Sequence, residues 1–286
     1  MRTAILFSFV TGASISSVFA ADMSAGSARF GVMPDIQGGT LTTQWPSVGA
    51  IYAGSSGLID QACTGTLIAP RWVLTAAHCV RGSSQFAFLL GGDVSSYWNN
   101  PSNMMPPVNV DAAYSDAQFN LNNPSAGHDI GLLHLSADLS LLAFKVNTQA
   151  FSNTMIGWQV AAMGYGLTSP AGQTFGVKYM VDLPITSYTA TDFQEGGTNM
   201  GTCEGDSGGP EFVLDSDGFP VIVGVTSYGS GTACAGSFAQ RVDTEIGYIE
   251  SVIGSGVICR DGETCDGIFR DGLDAPAYSN ELIDPN

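Results

Sequence analysis

Short apolar runs separated by Gly, Pro, Asn and Ser recur along most of the chain. Residues 45–52 form one such run after a turn. Residues 63–70 and 72–75 form two more, divided by the turn at Pro70 and Arg71. Residues 80–126 read as loop-rich, with turn signals at 99–101, 105–107 and 120–127. Residues 128–135 then make an apolar strand entered through an aspartate. A second series follows at 157–166, at 177–185 with clear alternation, at 220–229 and at 237–242. Ile246, Ile249, Val252 and Ile253 recur at helical spacing, which predicts a terminal amphipathic helix over 243–253 capped by Asp243. The two series divide near residue 150. The pattern predicts an all-β body of two small barrels, about 36–150 and 151–242.

Composition agrees with that body. The 286 residues are 44% hydrophobic and 12% charged, with 36 glycines and no long amphipathic run. A net charge of -17 excludes the basic footprint that nucleic-acid binding requires. Arg2, the apolar residues 4–10 and a Val18-Phe19-Ala20 end predict a signal peptide over 1–20, cleaved after Ala20. Export to the extracellular space or a periplasm is expected, without a membrane anchor. Residues 21–35 lack periodicity and read as a propeptide or disordered arm.

An exported chain keeps disulfides. The six cysteines allow fifteen pairings in principle. Pairing neighbours along the chain gives Cys63 with Cys79, Cys203 with Cys234 and Cys259 with Cys265, each closing a modest loop. No C-x-x-C pair is present, so no zinc site is expected. Residues 255–286 read as an acidic, disulfide-tied tail whose spacing lacks the EF-hand pattern. No metal and no cofactor are expected.

Cys203-Glu204-Gly205-Asp206-Ser207-Gly208-Gly209-Pro210 carries the chemistry. Glycines allow turns that a Cβ forbids and let a substrate approach the backbone. A serine held there suits a nucleophile whose attack creates an oxyanion. The same residues fit the G-x-S-x-G elbow, but that arrangement requires a histidine after the serine. His78, His128 and His134 all precede Ser207, so a base must come from upstream. His78 has small Ala76 and Ala77 before it and Cys79 after it to staple its loop, which is the fixing a general base needs. Asp129 heads an apolar strand, where a buried carboxylate needs a partner such as His78. His128 and His134 read as structural or exposed.

With His78, Asp129 and Ser207 in that order, the chain resembles the trypsin/chymotrypsin family of serine endopeptidases over about residues 36–254. Thr75-Ala76-Ala77-His78-Cys79, Asp129-Ile130-Gly131-Leu132-Leu133 and Gly205-Asp206-Ser207-Gly208-Gly209-Pro210 resemble its three motifs. The resemblance implies two six-stranded antiparallel barrels with a triad in the cleft between them. It implies an oxyanion hole made by the N–H groups of Gly205 and Ser207. Ser227-Tyr228-Gly229 resembles the segment that pairs with bound peptide, with Tyr228 where the family usually has Trp.

By the same resemblance Gly201 lies at the pocket floor, where trypsins carry Asp. Thr202, Gly229 and Gly236 line the rest. An open, uncharged pocket is expected, taking apolar or aromatic side chains first and small aliphatic ones second, rather than Arg or Lys. Ile36-Gln37-Gly38-Gly39 resembles the N-terminus of an activated enzyme, with Asp206 as partner of the Ile36 amino group. Asp35 stands where the family usually has Arg or Lys, so a trypsin-like activator does not fit this bond. The chain is expected to act as a monomer on proteins or peptides, after an activating protease has cut it. An inactive homologue serving as a binding module and an esterase-like hydrolase are the competing classes.

Overall fold

The computed structural model describes Ile5–Leu6, residue 36 and residues 38–263, apart from 57, 97–106, 168–174, 199 and 230–233. The expected signal cleavage site, the 21–35 arm and Cys265 with most of the acidic tail lie outside the described residues.

Alternating and β-branched runs become strands, as their pleated, half-buried surfaces demand. The first series gives β1 (Val48–Ser55), β2 (Leu58–Ala69), β3 (Trp72–Thr75), β4 (Gln85–Leu89), β5 (Val108–Ser115) and β6 (Gly131–Leu135). They pair antiparallel in the order β2-β1-β4-β5-β6-β3, and β3 pairs back to β2, closing a six-stranded barrel. A single helical turn, α1 (Ala77–Val80), follows β3. The second series gives β7 (Gln159–Gly164), β8 (Tyr179–Tyr188), β9 (Asp192–Glu195), β10 (Pro210–Leu214), β11 (Pro220–Gly229) and β12 (Ser237–Arg241). Their order is β7-β10-β11-β12-β9-β8, closed by β7 on β8. Closure removes the sheet edges that would otherwise template aggregation. Short strands at Ile5–Leu6, Thr40–Leu41 and Lys145–Val146 add to these rings.

Two elements lie where the sequence pattern predicts only loop, β4 and β5. In β5 the alternation is between half-exposed and exposed positions, so little apolar signal marks it. The terminal helix α2 (Ile246–Ile253) is where the spacing placed it, but Asp243 does not cap it. Asp243 instead forms a 2.6 Å ion pair with Arg241, and Glu245 occupies the cap position without capping through its side chain.

The barrels meet over a shared apolar core. Trp45 packs edge-on against Phe144 and Phe212, each at 5.4 Å between ring centroids. Polar groups cross the seam beside it. The Tyr165 hydroxyl donates to the Val48 carbonyl at 2.9 Å, and the Tyr165 amide donates to the Thr64 hydroxyl at 3.1 Å. Each barrel is thereby keyed to the other beneath the site.

Candidate active site

His78 lies on α1, directly after β3. Cys79 on that turn is disulfide-bonded to Cys63 on β2, with Cα atoms 6.2 Å apart. The β3–β6 ladder pairs Thr75 with Gly131, which sets the approach to His78 beside the approach to Asp129. Asp129 is fully buried. Its Oδ2 lies 2.8 Å from His78 Nδ1, and its Oδ1 accepts the His78 backbone N–H at 3.0 Å. The Ser227 hydroxyl also donates to Oδ2, and the Asp129 amide donates to Gln240 Oε1 at 3.2 Å. A carboxylate so held fixes both the position and the tautomer of the imidazole, with Nδ1–H facing Asp129 and Nε2 turned away.

The serine loop is clamped from below. The Thr64 amide donates to the Ser207 carbonyl at 2.8 Å, and the Thr64 hydroxyl donates to the Gly205 carbonyl at 3.0 Å. Gly208 donates to the Thr226 carbonyl at 2.8 Å and tucks against Thr75 and Ala76. Its φ is 82°, and a Cβ there would lie 2.0 Å from Thr75 Oγ1, so the position admits only glycine. These bonds fasten the Ser207 loop to β2 and to the end of β3, just ahead of His78. The amides of Asp206 and Gly209 are spent on the Cys203 and Asp206 carbonyls within the loop, and that of Gly208 on Thr226 of β11. Among the described residues those of Gly205 and Ser207 have no acceptor, and Gly205 holds a positive φ of 96°.

Asp206, fully buried, accepts the amides of Gly166 and Cys203, both at 2.8 Å. Ile36 is also buried, packed into the core of the second barrel.

The residues expected to line a pocket come together. A Cβ on Gly201 would lie 3.0 Å from the Gly236 amide and 3.1 Å from both the Cys234 carbonyl and Ser237 Oγ. Cys234 is bonded to Cys203. Gly229 pairs with Ser237 across β11 and β12, and the Thr202 amide donates to Ser237 Oγ at 2.8 Å. Tyr228 stacks on Phe238 at 4.7 Å and donates to Asp192 at 2.6 Å. Burial and that carboxylate push the Tyr228 phenol up, so it stays a donor.

Sequence reasoning misses five contributors: Thr64, Gln240, Ser237 and the buried acids Glu195 and Glu211. Glu195 and Glu211 are both fully buried inside the second barrel. Both Glu195 oxygens lack a hydrogen-bond partner, whereas Glu211 accepts the Thr226 hydroxyl at 2.9 Å. Burial, then the neighbouring Glu211, raises Glu195 well above the carboxylate range; burial pushes Glu211 up to about 8. Burial thus favours the protonated form of both acids. A buried glutamate has no short-range sequence signature, so neither stands out along the chain.

His134 is structural: its Nδ1 lies 2.5 Å from Asp111, and its ring packs on Trp72 at 4.7 Å. Cys63 and Cys79 approach His78 closely, but a disulfide leaves no thiolate to ligate a metal. His128 lies against Asp116 and Glu245. Cys259 is also in a disulfide, and its expected partner Cys265 lies outside the described residues.

Comparison with known proteins places this arrangement. The family model described as Trypsin matches residues 36–252. The chymotrypsin-like elastase family member 1 of Felis catus is 30% identical over 243 residues, covering 77% of this chain and 90% of its own length. The human protein of that name is also 30% identical, covering 77% of this chain and 93% of itself. Brachyurin from Leptuca pugilator is 28% identical over 235 residues, covering 75% of this chain and 96% of itself. Among solved structures, one described as HL collagenase superposes with a TM-score of 0.61 at 20% identity, covering 74% of this chain and 96% of that one. That likeness establishes the fold as chymotrypsin-like. The chain belongs to the trypsin family and is a serine peptidase that acts on proteins or peptides.

Proposed function

We propose that the protein is a secreted serine endopeptidase in which Ser207, His78 and Asp129 form the triad. The observation that carries this reading is the buried Asp129 carboxylate holding both the ring and the backbone of His78. Ser207 Oγ attacks the scissile carbonyl as His78 Nε2 takes its proton. Asp129 stabilises the imidazolium that forms. The tetrahedral oxyanion accepts the N–H groups of Gly205 and Ser207, which have no acceptor of their own among the described residues. His78 then gives the proton to the leaving amine, and the C–N bond breaks. Water, deprotonated by His78, attacks the acyl-enzyme and releases Ser207. Each oxyanion donor is worth about 3 kcal/mol in such sites.

Ser227, Tyr228 and Gly229 are assigned to the substrate backbone, and Gly201, Thr202 and Gly236 to the side-chain pocket. Gly201, which brings no charged side chain to the pocket floor, favours uncharged side chains before the cleaved bond. The domain is assigned to residues 36–254, the leader to 1–20, the arm to 21–35 and the tail to 255–286. We assign activation to release of the Ile36 amino group, which pairs with Asp206. Burial of Ile36 next to a segment meant for removal supports that pairing. The protein works as a monomer, without nucleic acid, membrane, metal in the triad or cofactor.

A chromogenic peptide panel on the mature enzyme tests this reading, with Ser207→Ala beside it. Cleavage after apolar residues, lost in the variant, is expected. Cleavage only after Arg or Lys overturns the pocket, and full activity in Ser207→Ala overturns the triad.

A further inference from the structure

One step before Asp129, the chain turns a second imidazole away from the triad. His128 follows Gly127, and both take positive φ, 66° and 87°. A left-handed backbone at a residue other than glycine is uncommon and unfavourable unless its surroundings enforce it. It aims the ring between two acids from distant parts of the chain. Asp116 follows β5, and Glu245 precedes α2. Both carboxylates are at least nine-tenths buried, at 4% and 3% exposure. Asp116 Oδ1 accepts the Gln118 amide at 2.8 Å, which leaves Oδ2 for the imidazole.

The distances are not those of a hydrogen-bonded pair. His128 Nδ1 lies 3.5 Å from Asp116 Oδ2 and 3.3 Å from Glu245 Oε1. A good N–H···O bond is shorter, about 2.9 Å. Nδ1 is buried and makes no hydrogen bond among the described residues, and neither does the buried hydroxyl of Tyr248 on α2. Metal bonds of about 2.0–2.1 Å to nitrogen and oxygen in a tetrahedral site separate the ligand atoms by about 3.3 Å. The three ligand atoms all lie within 4.8 Å of one another. The site is also short of positive charge. Arg81 is engaged with the carbonyls of Asp116 and Phe119, and Arg241 with Asp243.

We infer that Asp116 Oδ2, His128 Nδ1 and Glu245 Oε1 bind one zinc ion, with water or the Tyr248 hydroxyl at the fourth position. An imidazole with two single carboxylate oxygens suits zinc. Calcium takes six to eight oxygens, which this set does not offer. The His128 side chain, 33% exposed, gives the ion a route in. Bound zinc ties the segment leading into Asp129 to the terminal helix, so it stabilises the face of the first barrel that carries the acid of the triad.

The test uses the mature protein carrying Ser207→Ala, stripped with EDTA, and reads binding rather than turnover. Zinc is titrated by calorimetry, with calcium in parallel, and Co2+ is followed by its visible absorption. One equivalent of zinc, a tetrahedral cobalt spectrum, a raised melting temperature and no response to calcium are expected. His128→Asn and Glu245→Gln should each weaken zinc at least about tenfold. His78→Ala should leave binding unchanged, which separates this site from the triad imidazole. Circular dichroism identifies any variant that does not fold, in which case Asp116→Asn takes its place. Absence of zinc binding to the parent overturns the inference, leaving His128 as a plain ion-pair partner. Equal binding in parent, His128→Asn and Glu245→Gln overturns it as well.

Discussion

Replacing Glu211 by Gln should flatten the dependence of stability on pH. Glu211 is fully buried on β10, and burial raises its carboxyl from 4.5 to about 8, with Asp206 adding to the rise. Glu195 faces it, and the two cannot both ionise cheaply. In the unfolded chain Glu211 loses its proton near pH 4.5, whereas the folded protein keeps it until about pH 8. The folded state therefore binds more protons across that window, and stability falls as pH rises through it. Below about pH 4.5 the contribution is fully present; above about pH 8 it is gone. From 4.5 to about 8, at about 1.4 kcal/mol per pH unit, the loss is on the order of 5 kcal/mol. Gln keeps an oxygen for the Thr226 hydroxyl and has no proton to lose. Urea denaturation at several pH values from 5 to 8, in a Ser207→Ala background to stop autolysis, measures the difference. The parent should lose several kcal/mol more than the double variant. Parallel stability–pH curves would refute the reasoning, whatever the absolute stability of the variant.

Two further outcomes follow from the loop and the triad. Gly208→Ala should destabilise by about 3 kcal/mol, because it adds overpacking against Thr75 to left-handed strain. Gly218→Ala, at the same φ of 82° with nothing within 4 Å, should cost only the strain, about 1 kcal/mol, and thermal denaturation of both variants separates the two causes. Asp129→Asn should lower kcat by about 10⁴ with KM little changed, since it disturbs the tautomer of His78 rather than substrate binding; steady-state kinetics on one peptide checks this.

How much is legible in the sequence depends on how local each signal is. His78, Asp129 and Ser207 each sit in a short run of small and apolar neighbours, so their motifs stand out. The second-barrel strands are visible where apolar residues alternate, as in 177–185. β5 is not, because its faces are half-exposed and exposed. Thr64, Gln240 and Ser237 act through bonds to residues more than thirty positions away, and nothing beside them announces it. Asp243 looks like a helix cap by its place, but Arg241 claims it. His128 looks bland because its partners, Asp116 and Glu245, lie far from one another in sequence and meet only in the folded chain. Glu195 and Glu211 lie on strands that the apolar pattern does not mark, and only the closed barrel reveals that their carboxyls are shut away from water.

Reaction of the mature protein with a fluorophosphonate, followed by peptide mapping, tests the nucleophile most directly. One label on Ser207, abolished by His78→Ala in a folded protein, is the predicted result. An unlabelled Ser207, or a label on a different serine, would contradict the assignment.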